Sequence, residues 1–574
     1  MTVNRWVLHL DGSALPDRKL IGGKAWSVAR MAALGLHVPP AFVITTEACL
    51  SYLAEGGFPA GLEDEIAGGL EWLEAQTGRS FAGGDKRLLL SVRSGAAISM
   101  PGMMDTVLNL GIDDAGEAAL ASETGLPAFA RDTHRRFMEL YSAIVLKSPV
   151  ELAHDADPAS WRAEVAKAGG EVPADGRAQL RGAVQAVFDS WNTRRAKRYR
   201  EHNNIPHDLG TAVTVQVMVF GNLDELSGTG VLFSRNPLVG DPVPYGEYLP
   251  RAQGEDVVSG KFTPLSLEAM HAHVPEAHGA LLAASTLLEA ENADVQDIEF
   301  TVQMGKLYLL QSRSAKRAPA AAVRFAVDMV DEGRIDPATA LSRVSAEQVA
   351  TLLLPHLAAG AAENAQLLLA GEGACPGVAT GILVADSDEA ERRAAAGEAV
   401  VLVRATTSPD DVHGMIAARA VVTEQGGSTS HAAVVSRALG RPCVVGTGAG
   451  ALALVGRLVT VDGATGKVYD GALPTEAPRE AEDPRLSRLI QWARERSPVT
   501  VKHPGEGTPA DAVDVDLLLA EGSVDDLAGA LTGKAAARGS ALANVEIARA
   551  VRRAGVRTMI TEPVLPALLV ALED

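Results

Sequence analysis

The chain has 574 residues, 47% of them hydrophobic, and a formal charge of −20. That length corresponds to about three or four domains. The apolar content excludes a disordered chain, and the acidic surplus argues against broad binding to nucleic acid or an anionic membrane, though not against a local cationic pocket. Three widely separated cysteines, Cys49, Cys375 and Cys443, argue against a disulfide framework or a zinc site and fit a reducing cytoplasm. Met-Thr-Val-Asn-Arg-Trp at the start lacks a signal-peptide core, and no uncharged apolar run is long enough to span a bilayer. The bulk numbers thus describe a cytoplasmic multidomain protein.

In chain order, Leu20-Ile-Gly-Gly-Lys24 precedes a helical pattern from Ala25 to Leu34, closed by Gly35. Pro39-Pro40 leads into an apolar strand, Ala41 to Thr45. A lysine just after Gly-Gly at a helix start can hold phosphate oxygens; taken alone, an exposed surface lysine is the simpler account. Leu88 to Arg93 reads as a strand that delivers Arg93 to the long loop Ser94–Thr106, rich in Gly, Ser and Met. Such loops tend to be functional, and Arg93 offers either a bidentate fork for phosphate or an ordinary ion pair. Residues 113 to 190 read as mostly helical, and Ser190 to Tyr199 as a basic helix for which a solvated face is the simplest account. Strands Thr211–Phe220 and Ser227–Phe233 follow, joined by a turn. Asp297 and Glu299 lie two apart on the next strand and therefore share a face. Neighbouring carboxylates repel unless a cation sits between them, and Mg2+ takes carboxylates together with substrate phosphates. Gln311, on the antiparallel partner strand, reaches the same centre.

Alanine-rich residues 316–369 read as a helical linker. Strands at Ile382–Ala385, Ala399–Val403, Ala420–Thr423, Cys443–Val445 and Leu458–Val461 then alternate with helices. Within this segment Glu424-Gln-Gly426-Gly427-Ser-Thr429-Ser430-His431 runs from a strand through two glycines into a helix, Ala432–Leu439. The hydroxyl residues are N-cap types, so His431 sits in a first turn, where free N–H groups and the helix dipole favour an anion. A neutral imidazole there can attack a phosphoryl group, and the helix end stabilises the product. A histidine that merely packs is the competing account, made less economical by the surrounding motif.

Several of these stretches resemble one family. Gly-Gly-x-Thr-Ser-His-Ala-Ala-Val resembles the phosphohistidine signature of the PEP-utilising enzymes. Ile21-Gly-Gly-Lys-Ala with Gly35-Leu-x-Val-Pro-Pro, and Ser91-Val-Arg-Ser-Gly-Ala-Ala-x-Ser-Met-Pro-Gly-Met-Met-Asp-Thr, resemble the pyruvate, phosphate dikinase branch in particular. One departure is Trp26-Ser27, where smaller or more polar residues are expected. The resemblance implies an α/β multidomain architecture: an ATP-grasp domain over 1–315, the linker 316–369, a swivelling phosphohistidine domain over 370–475 and a short tail 476–574. It implies that Lys24, Arg93, Glu255, Asp297, Glu299, Gln311 and Arg313 bind ATP and phosphate. It assigns Mg2+ to Asp297, Glu299 and Gln311, and phosphoryl transfer to His431 with Arg93, supported by Gly426, Gly427, Thr429 and Ser430. Arg404, Thr406 and Asp410 belong near the histidine, and Thr429 occupies a position at which some relatives are regulated by phosphorylation.

The resemblance covers about residues 15 to 475. A full-length dikinase continues into a βα barrel of roughly 250 residues, whereas about a hundred residues follow Pro474 here. These read as a helix at Leu486–Arg496, strands near Val499–Lys502 and Asp514–Leu519, mixed patterns from Arg538 to Met559, and a helix at Leu565–Leu572. They fit a barrel remnant or a small α/β unit. The expected activity is therefore a short-form dikinase reaction. ATP and inorganic phosphate charge His431 and release AMP and pyrophosphate, and the phosphoryl group passes to pyruvate, giving PEP, or to another acceptor, including one in trans. No pyruvate or PEP site is visible, and a homodimer or a separate acceptor protein is compatible with the sequence. A phosphotransferase for a different small molecule and a non-catalytic nucleotide-binding regulator are the alternatives.

Overall fold

The computed structural model describes residues 5–81, 83–98, 100, 104–258, 263–353, 356–358, 360–363, 365–439, 441–476, 479–521 and 526–573. Ser99 and residues 101–103 of the Met-rich loop, and Gly440 of the histidine-bearing stretch, lie outside the described residues. The chain is a mixed α/β, multidomain protein.

Two five-stranded antiparallel sheets make up the N-terminal half. The first runs Val7–His9, Ala41–Ile44, Ala212–Val217, Leu90–Gly95, Thr106–Leu110. The second runs Lys306–Ser314, Gln296–Gln303, Gly228–Phe233, Tyr245–Pro250, Leu265–Ser266. The helix Arg18–Ala33 joins them. Ile21, Ala25, Val28 and Ala29 recur at helical spacing and form one buried face. That face shares an apolar cluster with Ala41 and Val43 of the first sheet and with Leu232, Ile298 and Phe300 of the second. The helix begins seven residues earlier than the expected Ala25, and Gly22 interrupts it with φ 74° and ψ 164°. A Cβ on Gly22 would lie 1.9 Å from Gly95 O, so only glycine lets the helix start approach the end of the strand that carries Arg93.

An eight-stranded mixed sheet carries His431. Its order is Leu367–Ala370, Lys467–Asp470, Leu458–Asp462, Val378–Val384, Val400–Arg404, Ala420–Thr423, Cys443–Val445, Glu372–Cys375. The strands at 378–384, 400–404, 420–423 and 443–445 are mutually parallel and almost entirely apolar, as strands covered on both faces must be. Its first strand, Leu367–Ala370, lies just before the expected boundary at 370. The segments entering and leaving this unit run side by side as a short antiparallel ribbon, His356–Leu357 against Thr475–Glu476.

The tail contains a parallel four-stranded sheet, Thr500–Lys502, Thr558–Ile560, Ala536–Arg538, Val513–Asp514, so the tail's last strand pairs with its first. The expected strand at Asp514–Leu519 is a correction. Val513–Asp514 pairs with Ala537 and Arg538 as a two-residue strand, and Val515–Glu521 is a helix, as its Leu-Leu-Leu-Ala-Glu run of strong helix formers favours. The alanine-rich linker differs more. Its helices Pro319–Asp331, Pro337–Ser342 and Ala346–Leu352 are not a free connector. Val323, Val327, Leu341 and Val349 share one core with Leu486, Leu489, Trp492, Met559 and Leu568 of the tail. Exposed ion pairs such as Arg488–Asp331 add little to this. The linker and the tail are one packed body, and the histidine-bearing unit is inserted between its two parts.

Candidate functional site

A cavity of about 1410 Å³ lies between the two antiparallel sheets. Lys24, Arg93, Glu255, Asp297, Glu299, Gln311 and Arg313 all line it, and so does His431. The strand register explains the grouping. Gln311 is directly opposite Glu299 and Arg313 directly opposite Asp297, so all four side chains emerge on one face. Arg313 Nε donates to Asp297 Oδ2 at 2.8 Å, and Arg93 Nη2 donates to Glu299 Oε2 at 2.9 Å. These pairs leave Asp297 Oδ1 and Gln311 Oε1 buried without a hydrogen-bond partner. Two orphaned oxygen acceptors beside a second carboxylate make a donor set that fits a hard divalent cation completed by ligand phosphates.

The charges are tuned by burial and by one another. Burial, then the neighbouring Arg93 and Arg313, pull the Lys24 ammonium down to about 7 against the attraction of Glu299. Burial pushes the Glu299 carboxyl up, but Arg93, Arg313 and Lys24 outweigh it and hold the group below its usual range. Asp297 holds the Arg313 guanidinium well above its ordinary value, so this arginine stays charged. Glu255 accepts from Arg136 Nη1 at 3.0 Å, and burial raises its carboxyl. Arg136 is therefore spent on carboxylates, as is Arg135, which bonds Asp132 and Glu139.

His431 opens the helix His431–Leu439. Its Nδ1 is 3.1 Å from Thr407 Oγ1, while Nε2 is buried with no hydrogen-bond partner. Burial lowers the imidazole below its ordinary value, with Asp411 opposing, so the ring is neutral near pH 7. In the tautomer whose Nδ1–H donates to Thr407 Oγ1, the lone pair is on Nε2. The residues expected beside the histidine are arranged differently from one another. Thr406 lines the cavity, Arg404 pairs with Asp411 at 3.1 Å, and Asp410 sits on the one-turn helix Pro409–Asp411. The direct contact is made by Thr407. A run of three hydroxyl residues, Thr406 to Ser408, does not by itself say which one faces a residue 24 positions away.

The hydroxyls before His431 hold the two halves together. Ser428 Oγ donates to Glu247 Oε1 at 2.7 Å, and Thr429 Oγ1 donates to Glu247 Oε2 at 2.5 Å. Ser428 N donates to Glu372 Oε2, and Tyr245 Oη lies 2.7 Å from Ser428 Oγ. Gly426 has φ 106°, and a Cβ on Gly427 would meet Glu247 Oε1 at 2.8 Å, so the glycines admit this carboxylate. Ser430 supplies the first helical carbonyl, to Val434 N, while its own hydroxyl is buried and unpartnered. The N-cap expectation for these three hydroxyls is thereby corrected: the helix opens after Ser430, so Ser428 and Thr429 lie ahead of the cap and bond Glu247 instead, and Ser430's hydroxyl caps no helix N–H. Burial raises Glu247, whose role no local pattern signals. Met100 of the Met-rich loop, with Trp191, Ala196 and Ile205, joins an apolar cluster with Val384, Val400, Ala432 and Val435 of the histidine-bearing unit.

These features define the class: an antiparallel nucleotide-type clamp docked against the histidine-bearing domain of the PEP-utilising enzymes. Comparisons agree. The family model for the pyruvate phosphate dikinase AMP/ATP-binding domain matches residues 18–77 and 54–275, and the PEP-utilising enzyme mobile domain matches 396–466. The chain is 42% identical over 533 residues to pyruvate, phosphate dikinase 2 of Oryza sativa subsp. japonica, covering 86% of this chain and 60% of that one. It is 40% identical over 557 residues to pyruvate, phosphate dikinase of Clostridium symbiosum, covering 90% and 63% respectively. For the Rhizobium meliloti enzyme of the same name the values are 41% over 552 residues, 88% and 61%. The chain belongs to the pyruvate, phosphate dikinase family and spans about three fifths of the length of the curated relatives it matches. Among the described residues no helix is long and apolar enough to cross a membrane.

Proposed function

We propose that the chain is an ATP-dependent phosphotransferase that carries out the dikinase half-reaction on His431. One observation carries the reading: a neutral histidine whose Nε2 has no hydrogen-bond partner lines the same cavity as Lys24, Arg93 and Arg313. In this reading residues 1–315 bind ATP, 370–475 carry the phosphoryl group, and Thr407 keeps the proton on Nδ1. Nε2 forms a bond to the β-phosphorus of ATP, and the bond to AMP breaks. The terminal phosphoryl group then passes to inorganic phosphate, leaving pyrophosphate as product and one phosphoryl group on His431. Lys24, Arg93 and Arg313 balance the phosphate charge, which is where such catalysis lies. Asp297, Glu299 and Gln311 would hold a magnesium ion, which would supply positive charge against the charge that develops on the phosphates. Glu255, fixed by Arg136, borders the nucleotide, and Gly426, Gly427, Thr429 and Ser430 shape the approach of the histidine.

Pyruvate as final acceptor is proposed from the names of the relatives, reached by a swing of the histidine-bearing unit or in trans. A cytoplasmic location fits three buried free thiols, each with its pKa pushed up by burial and so chemically quiet. The test is a single turnover with ATP labelled at the β-phosphate, with and without inorganic phosphate. Acid-labile label on the wild type and none on His431→Ala is expected. No label with any divalent metal refutes the carrier role.

A further inference from the structure

A second cavity, of about 230 Å³, opens where three parts of the chain meet. Lys316 and Arg317 come from the end of the N-terminal half, and Arg343 and Gln348 from the linker helices. Arg437 comes from the helix that His431 begins. Four cations thus face a single carboxylate, Asp294. That carboxylate is already committed to Arg317 at 2.8 and 3.0 Å, with Arg343 at 3.5 Å. Arg437 is only 4% exposed. Its Nη1 donates to Ala374 O at 3.0 Å, but Nε and Nη2 are buried with no partner. Its guanidinium lies 5.8 Å from the Phe233 ring centre, a contact that offsets little of the cost of a buried charge. Burial accordingly pushes this guanidinium below its ordinary value. Gln348 Oε1 accepts from Ser345 N in a capping box, which leaves its Nε2 donors uncommitted. A surplus of cations around partnerless guanidinium donors is what an oxyanion with several acceptors satisfies.

We propose that this junction binds an oxyanion of the phosphate class, and that the bound anion holds the histidine-bearing unit in its docked position. The second part follows from linkage. Arg437 moves with that unit and the other donors do not, so a ligand that needs both sets stabilises only the docked arrangement. The proposal does not require His431 to be phosphorylated.

The probes are inorganic phosphate and pyrophosphate, titrated calorimetrically into the full chain. Lys24→Ala removes a phosphate ligand from the large cavity. Arg343→Gln and Gln348→Glu alter the junction alone, and Gln348→Glu preserves the capping box while opposing an anion. Lys24→Ala should retain a phosphate-binding event that weakens by about tenfold or more in both junction variants, the effect of one charge-assisted hydrogen bond. Either anion bound with that dependence upholds the site, and the tighter one identifies its source. Binding unchanged in both junction variants, or lost entirely in Lys24→Ala, overturns it. Bound phosphate should also slow amide exchange over residues 428–433 in the wild type but not in Gln348→Glu; no slowing in the wild type overturns the holding role.

Discussion

Replacing Thr407 by valine isolates what orients His431. Valine keeps the branched shape, so the loop between Arg404 and the helix at Val412 should persist, and only the Oγ1 that lies 3.1 Å from Nδ1 disappears. A largely buried imidazole N–H then loses its acceptor, a penalty of about 1–3 kcal/mol. The penalty falls on the tautomer with its lone pair on Nε2, the form that attacks phosphorus. At about 1.4 kcal/mol per decade the single-turnover rate of His431 phosphorylation should fall by between about fivefold and about 140-fold. ATP affinity should stay unchanged, because Thr407 bonds the nucleophile and no cation of the cavity. Thr407→Ser restores the acceptor and should recover most of the rate. The assay is rapid-quench labelling from β-labelled ATP at saturating nucleotide, with affinity measured separately. If Thr407→Val reacts at the wild-type rate, or loses ATP binding in proportion to rate, the tautomer argument is wrong.

Four further outcomes follow from the same geometry. Because burial depresses His431, the acid limb of the phosphorylation rate at saturating ATP should have its midpoint below the ordinary histidine value of 6.5; a midpoint at or above 6.5 contradicts this. Lys24 titrates at about 7 in the free protein and should be drawn back toward its ordinary value of 10.5 by bound phosphates. At pH 8 ATP binding should therefore take up close to one proton, measured by calorimetry in buffers of different ionisation heat, and Lys24→Ala should take up none. Glu247→Ala removes two hydroxyl-to-carboxylate hydrogen bonds between the halves, each worth about 1.5–3 kcal/mol at most. Energy transfer between dyes on the two halves should report an undocked population, and an unchanged distance distribution counts against Glu247 as the latch. Leu489 is fully buried in the core shared by linker and tail, so Leu489→Ala should cost about 2–5 kcal/mol. Amide exchange should then rise together over 323–353 and 500–560; a rise confined to the tail would show two independent units.

The chemistry of this protein is written locally. Gly-Gly-Lys24 at a helix start, two carboxylates two apart on a strand, and a histidine after Gly-Gly and three hydroxyls each declare a function. In each case a backbone period or a special φ angle fixes where the side chain points within a few residues. The strand register that sets Gln311 opposite Glu299 was also within reach, since the two strands are joined by a tight turn. What the sequence could not show are the relations between segments far apart in the chain. Thr407 was chosen over its neighbours by where a strand end meets a helix start 24 residues on. Glu247 meets Thr429 across 182 positions, and nothing in Gly-Glu-Tyr-Leu-Pro distinguishes a latch from an exposed edge strand. The linker looked like a connector because alanine-rich helices bury shallow faces, and such faces show only when their partner is known. That partner, the tail, lies beyond an inserted unit of more than a hundred residues. Arg437 lies where three parts of the chain meet, a position no local pattern around it marks. Local periodicity sets what each side chain can do, whereas burial and long-range pairing set which of them act together, and those are properties of the packed chain alone.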